Sequence, residues 1–297
     1  MKFSEALDRF GSYQRDILGR AENTVKSYRE EVEKFAEFFG TDSIEEVTKK
    51  DAENYASWMA KKGLAPATRC RKISALQMFF AWAYDNSLVA ENPFRSLAKP
   101  KIPQKQVLAM SQEEVHEVLE VARNRNHNHK DYFRNLTLFT VMVSTGLRRN
   151  EIVNVRLEDV NIAENRLFVA TGKGNKQRVV YFSDEAKALL SEWIAAHRKL
   201  YKYAEESEYL FLTQKSGQMD VSMVNRIVNG LYKEAQMEGK GFVVHSTRKT
   251  FATTVYDNTQ DIAVVQSLLG HSSPQTTMRY ISIHENSKKM AAQMVRF

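Results

Sequence analysis

Residues suited to handling a phosphate crowd into one stretch of this 297-residue chain, from His245 to Tyr280. It reads His245-Ser246-Thr247-Arg248, then Leu269-Gly270-His271, and closes on Met278-Arg279-Tyr280. His245 and Arg248 are three apart, so on a helix both project from one face toward the same target. A guanidinium offers a planar fork of donors to phosphate oxygens, and an imidazole moves a proton near neutral pH. Tyr280 lies nine positions after His271, which on one unbroken helix sets them on opposite sides. The sequence forbids that helix: Gly270 predicts a C-terminal stop, Ser272 or Ser273 an N-cap, and Pro274 a first helical residue. Two short helices with a turn between them bring imidazole and phenol to one spot.

Two upstream segments add cations. Thr145-Gly146-Leu147-Arg148-Arg149-Asn150-Glu151 follows an apolar run, and an arginine just after a tight Gly turn is held by backbone geometry. Thr171-Gly172-Lys173-Gly174-Asn175-Lys176 sits between two alternating runs, Leu167–Ala170 and Val179–Phe182, as the turn of a hairpin. It is not a P-loop, because the six-residue frame and the Lys-Ser/Thr ending are absent. On position alone Lys173 fits a solvated turn lysine, and Glu151 fits a helix-surface acid.

Together these segments resemble the tyrosine recombinases, the integrase family that includes phage integrases, Cre-like enzymes and Xer-type dimer resolvases. HxxR, LGH and a tyrosine nine residues later form a specific pattern; TGLRxxE and the Lys between two glycines agree with it. The resemblance spans nearly the whole chain, strongly from Thr145 onward and weakly before Pro100. It implies a transesterification on DNA. Arg148 and Arg248 would clamp the non-bridging oxygens of the scissile phosphate, and His271 would hydrogen-bond one of them. Tyr280 would attack, leaving a 3′-phosphotyrosine and a free 5′-hydroxyl. His245 would be the general base, since a phenol near pKa 10 needs one, and Lys173 the general acid. Glu151 would hold a neighbouring group, and no role is assigned to Arg149. The covalent link conserves the bond energy, so no cofactor, ATP or metal is expected. Exchange between duplexes implies a homotetramer on two double-stranded DNA sites, with or without a second recombinase or accessory factor.

Composition sets broader bounds. There are 43 basic and 36 acidic residues, a net charge of +7, and a pI near 9.3; this moderate excess favours a polyanionic partner without proving one. Its distribution says more: from Asn54 to Tyr84 there is no acid, while Lys61, Lys62, Arg69, Arg71 and Lys72 all fall there. By itself such a run fits a solvated face better than a phosphate-binding one; the downstream motifs reverse the odds. The single cysteine, Cys70, excludes an internal disulfide, fits a reducing compartment and is expected to pack on a helix. The charged start, MKFSEALDRF, is no signal peptide, and no apolar run reaches membrane-spanning length. A soluble, cytoplasmic protein, nucleoid-associated in a prokaryote and without membrane contact, is expected.

The elements that must position these groups are mostly helices. Residues 4–18, 23–39, 48–62 and 66–85 carry apolar residues at three- and four-residue spacing, with stops at Gly19, Gly40 and Gly63. The fourth has an apolar stripe of Ile73, Leu76, Phe79, Phe80 and Ala83, with the basic cluster in its first turns. Residues 98–106, AKPKIPQKQ, read as an extended linker. Helices are expected from Ser111, over Tyr132–Ser144, over Asp184–Lys199 and over Val221–Met237, with a short buried segment at 209–212. Ser222, Asn225 and Arg226 on the polar side of Val221–Met237 are candidate base or phosphate readers, and Lys176 and Arg178 candidate phosphate contacts. His127 and His129 lack a third metal ligand nearby. Tyr201 and Tyr203 have no surrounding motif of a nucleophile. The last segment, 284–297, has Met290, Met294, Val295 and Phe297 on a sparse apolar face for its own domain or a neighbouring protomer.

The expected fold is mainly α with a small antiparallel β-sheet, in the two-domain tyrosine-recombinase architecture. Residues 1–98 would form a helical core-binding domain, 99–107 a linker, and 108–297 a mixed α/β catalytic domain with a C-terminal exchange helix. Without an additional N-terminal arm-binding domain, the length leans toward the simple Xer-like or resolvase type. Two rivals share features. A type IB topoisomerase uses similar chemistry as a monomer, and a non-catalytic DNA-binding protein could keep the fold. The LGH spacing and intact six positions (Arg148, Lys173, His245, Arg248, His271, Tyr280) favour recombination.

Overall fold

Among the described residues, buried aromatic and aliphatic side chains collect into one cluster in the first hundred residues and two in the rest of the chain. Contacts divide it into two units, Met1–Lys105 and Gln106–Phe297. The structure, a computed structural model, describes residues 1–103, 107–124, 131–170, 177–270 and 274–278. None of its helices is long and apolar enough to cross a membrane.

The first unit contains α1 (Phe3–Ser12), α2 (Glu22–Phe39), α3 (Lys49–Lys61) and α4 (Pro66–Asp85). The single helix expected over residues 4–18 instead changes to a π-helical turn at Tyr13–Ile17, just after Gly11 and Ser12, both weak helix formers. Thr48 caps α3 in a reciprocal box with Asp51, and Pro66 opens α4 where its missing N–H costs nothing. Phe3, Phe10, Phe35, Phe79, Phe80 and Phe94 are all buried. Phe35 meets Tyr55 and Phe94 edge-on at 5.1 and 5.2 Å, the arrangement that the ring quadrupoles favour. The stripe of α4 faces this core as its spacing predicts. Cys70 is half-buried and its thiol donates to Pro100 O at 3.1 Å, a packed position.

The second unit contains α5 (Gln112–Asn124), α6 (Tyr132–Thr145), α7 (Arg149–Ile152), β1 (Val160–Asn161), β2 (Arg166–Val169), β3 (Arg178–Tyr181), α8 (Asp184–Glu192), α9 (Val221–Glu234), α10 (His245–Thr259), α11 (Ile262–Leu269) and α12 (Pro274–Met278). Ser111 and Glu114 cap α5 reciprocally. The strands form one antiparallel sheet in the order β1-β2-β3, with Leu167 opposite Val180 and Val169 opposite Arg178. Leu167, Val169 and Val180 are buried and Phe168, Val179 and Tyr181 exposed, so the sheet covers the core with one face. The turn of the hairpin lies outside the described residues.

Two helices end earlier than their periodicity suggests. The run expected to Lys199 widens after α8 into a π-turn at Trp193–His197 and a 3₁₀ turn at Arg198–Leu200; the widening coincides with fully buried Trp193, whose indole N–H donates to Leu210 O at 3.0 Å. The helix expected to Met237 stops at Glu234 because Gln236 is left-handed, φ +57°. Leu210, Phe211 and Leu212 are buried, as the apolar run implies. Tyr201 is buried and donates to Asp131 at 2.6 Å, a packing role. His127 and His129, and residues 284–297, lie outside the described residues.

Candidate active site

Gly146 closes α6 with φ +64°, and a Cβ there would meet Phe251 Cδ1 at 2.5 Å. Only glycine tolerates that conformation and that approach together. The turn places Arg148 immediately before α7, whose third residue is Glu151. The Arg148 backbone N–H donates to Glu151 Oε2 at 2.8 Å, and its Nη1 donates to Oε1 at 2.7 Å. Glu151 is 3% exposed and also accepts both Nη groups of Arg178, at 3.0 and 2.8 Å. Arg248 Nη1 lies 3.9 Å from Oε2. Burial raises the carboxyl's pKa, but the hydrogen bonds and charge of Arg178, and then those of Arg148, outweigh it and hold Glu151 at about 2. One anion thus faces three guanidinium groups.

His245 is the first residue of α10 and Arg248 lies one turn in, on one face as their spacing predicts. Arg248 is 1% exposed. Its Nη1 donates to Gly146 O and its Nη2 to Leu269 O, each at 2.6 Å. It therefore pins the start of α10 to the C-terminal carbonyls of α6 and α11, groups that a helix end leaves without intrahelical partners. Each Nη carries a second N–H. His245 opens to solvent, yet partial desolvation and then the charges of Arg248, Arg148 and Arg149 lower its pKa below 6.5. The neutral imidazole, a proton acceptor, is favoured at neutral pH.

Arg148, His245 and Arg248 line one cavity of about 510 Å³, with Arg149, Asn150, Asn225 and Asn229 among the polar groups at its walls. The sequence assigned nothing to Arg149; its Nη1 donates to Asn225 Oδ1 at 3.1 Å, joining α7 to α9. Asn229 is missed in the sequence although it lies four residues after Asn225, on the same helical face. α11 ends at Gly270, φ +64°, and α12 begins at Pro274, where sequence predicts the stop and restart. Lys173, Lys176, His271, Tyr280 and the proposed caps Ser272 and Ser273 lie outside the described residues.

Two predicted phosphate contacts are corrected. Arg178 is on the buried face of β3, with its guanidinium on Glu151, and Lys72 is buried on Glu31. Both had a readable signal. Arg178 shares the strand parity of buried Val180, and Lys72 precedes Leu76, Phe79, Phe80 and Ala83 at helical spacing. Arg71 is exposed but also pairs with Glu31 at 2.6 Å. Burial opposes ionisation of Glu31, while Lys72 and Arg71 together lower its pKa. Arg69 is half-buried, whereas Lys61 and Lys62 are exposed, with Lys62 over the Trp58 ring. On α9, Ser222 donates to the capping Asp220 at 2.5 Å, Asn225 reaches the cavity wall, and Arg226 is exposed.

With this geometry in view, residues 109–287 match the phage integrase family. The chain belongs to that family. Residues 7–87 of this family member also match the phage integrase N-terminal SAM-like domain. Curated relatives include tyrosine recombinase XerC of Caldanaerobacter subterraneus subsp. tengcongensis, 27% identical over 98% of this chain and 86% of the relative. Tyrosine recombinase XerC of Bacillus subtilis strain 168 is 29% identical over 90% of this chain and 87% of the relative. Among solved structures, XerA recombinase is 28% identical with a TM-score of 0.56, covering 99% of both chains. XerH site-specific recombinase in a pre-cleavage complex with its difH substrate has a TM-score of 0.71 at 24% identity, over 97% of this chain and 83% of that one; its likeness is one of fold.

Proposed function

We infer that this chain, a tyrosine-type site-specific recombinase, breaks and rejoins double-stranded DNA through a covalent link to Tyr280. The observation that carries the reading is a single cavity whose lining includes the guanidinium groups of Arg148 and Arg248 and the imidazole of His245. Two planar cations neutralise the non-bridging oxygens of a phosphodiester as charge accumulates in its transition state. His245, biased toward its neutral form, accepts the phenolic proton as the Tyr280 oxygen attacks phosphorus. The P–O5′ bond breaks, Lys173 protonates the departing 5′-oxygen, and His271 hydrogen-bonds a non-bridging oxygen. The products are a 3′-phosphotyrosine and a 5′-hydroxyl. Attack by a 5′-hydroxyl of the second duplex reverses the step, so the phosphodiester energy is conserved and the chemistry asks for no ATP or metal. Four protomers on two sites in a prokaryotic cytoplasm fit that exchange. Residues 1–98 and 108–297 would act as the two DNA-binding domains, joined through 99–107.

Covalent capture tests this directly. Wild-type protein incubated with a random-sequence duplex pool should yield protein–DNA adducts that survive denaturation, and sequencing them gives the target. Tyr280→Phe should retain DNA binding and form no adduct; adduct formation by that variant would remove Tyr280 as nucleophile. A supercoiled plasmid carrying two copies of the recovered site should give recombinant circles, and relaxed circles alone would contradict recombination.

A further inference from the structure

Each nitrogen of the Arg178 guanidinium donates to a group that leads toward the cavity. Its Nη1 and Nη2 make the bidentate pair with Glu151, while Nε donates to Leu268 O at 3.0 Å. The next carbonyl, Leu269 O, accepts from Arg248. Consecutive carbonyls at the end of α11 are therefore each held by an arginine, one from the hairpin and one from α10. Gly270 makes this possible, since a Cβ there would lie 2.8 Å from Arg178 Cδ. The circuit is closed: Arg148 and Arg178 share Glu151, Arg178 and Arg248 hold α11, and Arg248 returns to Gly146, two residues before Arg148.

Each joint lies within a few residues in sequence of a candidate catalytic group. Arg178 follows Lys173 by five residues, Leu268 precedes His271 by three, and Glu151 follows Arg148 by three. We propose that Arg178 is a positioning residue of strand cleavage, locking the β2–β3 hairpin and the exit of α11 onto Glu151. It aligns Arg148 through the shared carboxylate and holds β3 and the end of α11, the described elements nearest in sequence to Lys173 and His271. The proposal rests on the recombinase reading above. A planar fork with a lateral N–H pairs a carboxylate bidentately and meets a carbonyl at once; a lysine ammonium, a single point charge, cannot reproduce that bidentate geometry.

The test compares full-length wild type, Arg178→Lys, Arg178→Gln and Arg178→Gln/Glu151→Gln. The substrate is a nicked duplex of the sequence that wild type captures from the random pool. Adduct formation is followed in single turnover across pH, beside DNA affinity and thermal unfolding. Arg178→Gln should keep DNA affinity and slow cleavage about 100-fold, the scale of a small misalignment. It should also gain an acid limb, because Glu151 then faces only Arg148 and Arg248 and titrates at higher pH. The double variant should lack that limb, and Arg178→Lys should recover part of the rate. Wild-type cleavage by Arg178→Gln, or equal losses of binding and cleavage with an unchanged pH profile, would overturn the proposal. If Arg178→Gln does not fold, Arg178→Lys decides it: a wild-type rate and profile there overturn it as well. Failure of wild type itself to form any adduct would instead remove the recombinase reading, and this proposal with it.

Discussion

Glu151 is held as an anion against the site's guanidinium groups and His245 is biased toward its neutral form, and each makes a pH prediction. The Glu151 carboxyl titrates at about 2 in the folded protein against an ordinary 4.5. A depressed folded pKa means that stability is complete above about 4.5 and is lost as pH falls toward 2. Urea unfolding across that window should show this loss in wild type and a shallower one in Glu151→Gln. At neutral pH the substitution leaves the buried guanidinium groups without their anion and should cost about 3 kcal/mol. For His245 the folded pKa lies below 6.5, from partial desolvation and then its cationic neighbours. The acid limb of the cleavage profile should therefore fall below pH 6.5 and be absent from His245→Gln. A limb at or above 6.5 in single-turnover cleavage would contradict the assignment of His245 as base.

At the scale of elements, the cavity is assembled where helices end. The turns at Gly146 and Gly270 terminate α6 and α11, and Arg248 holds Gly146 O and Leu269 O. Gly146→Ala places a methyl against Phe251 and Leu269 in a left-handed backbone. Strain and overpacking together should lower stability by about 3 kcal/mol, measurable by denaturant unfolding. A cost below about 0.5 kcal/mol would show that the turn relaxes freely. These junctions were legible in the sequence as glycines and a proline, because helix termination is local chemistry. The π-turns at Tyr13–Ile17 and Trp193–His197 were not legible, since the apolar periodicity continues through both.

Over the whole molecule, two compact units and a basic composition frame the interaction with DNA. The sequence counts five cations in one acid-free stretch, but Lys72 is buried on Glu31 and exposed Arg71 pairs with the same carboxylate, while Lys61 and Lys62 stay in solvent. In fluorescence-anisotropy titrations against salt, Lys61→Ala and Lys62→Ala should each reduce the slope of log K against log salt by about 1. Lys72→Met should leave that slope unchanged and instead destabilise its unit by about 3 kcal/mol, because Glu31 loses its buried partner. A reduced slope for Lys72→Met with unaltered stability would mean that this lysine contacts phosphate after all.

What the sequence determined is whatever depends on neighbours along the chain. It specified the helix order, the stops at Gly146 and Gly270, the inward stripe of α4, and the same-face pair His245 and Arg248. Their residue types also announced phosphate chemistry. Only the tertiary structure decided which cations remain available. Strand parity and helical spacing turn Arg178 and Lys72 inward, but only the fold brings Glu151 and Glu31, 27 and 41 positions away, against them. A buried carboxylate chooses its partners by proximity in space, and nothing in local spacing encodes which arginines will share it.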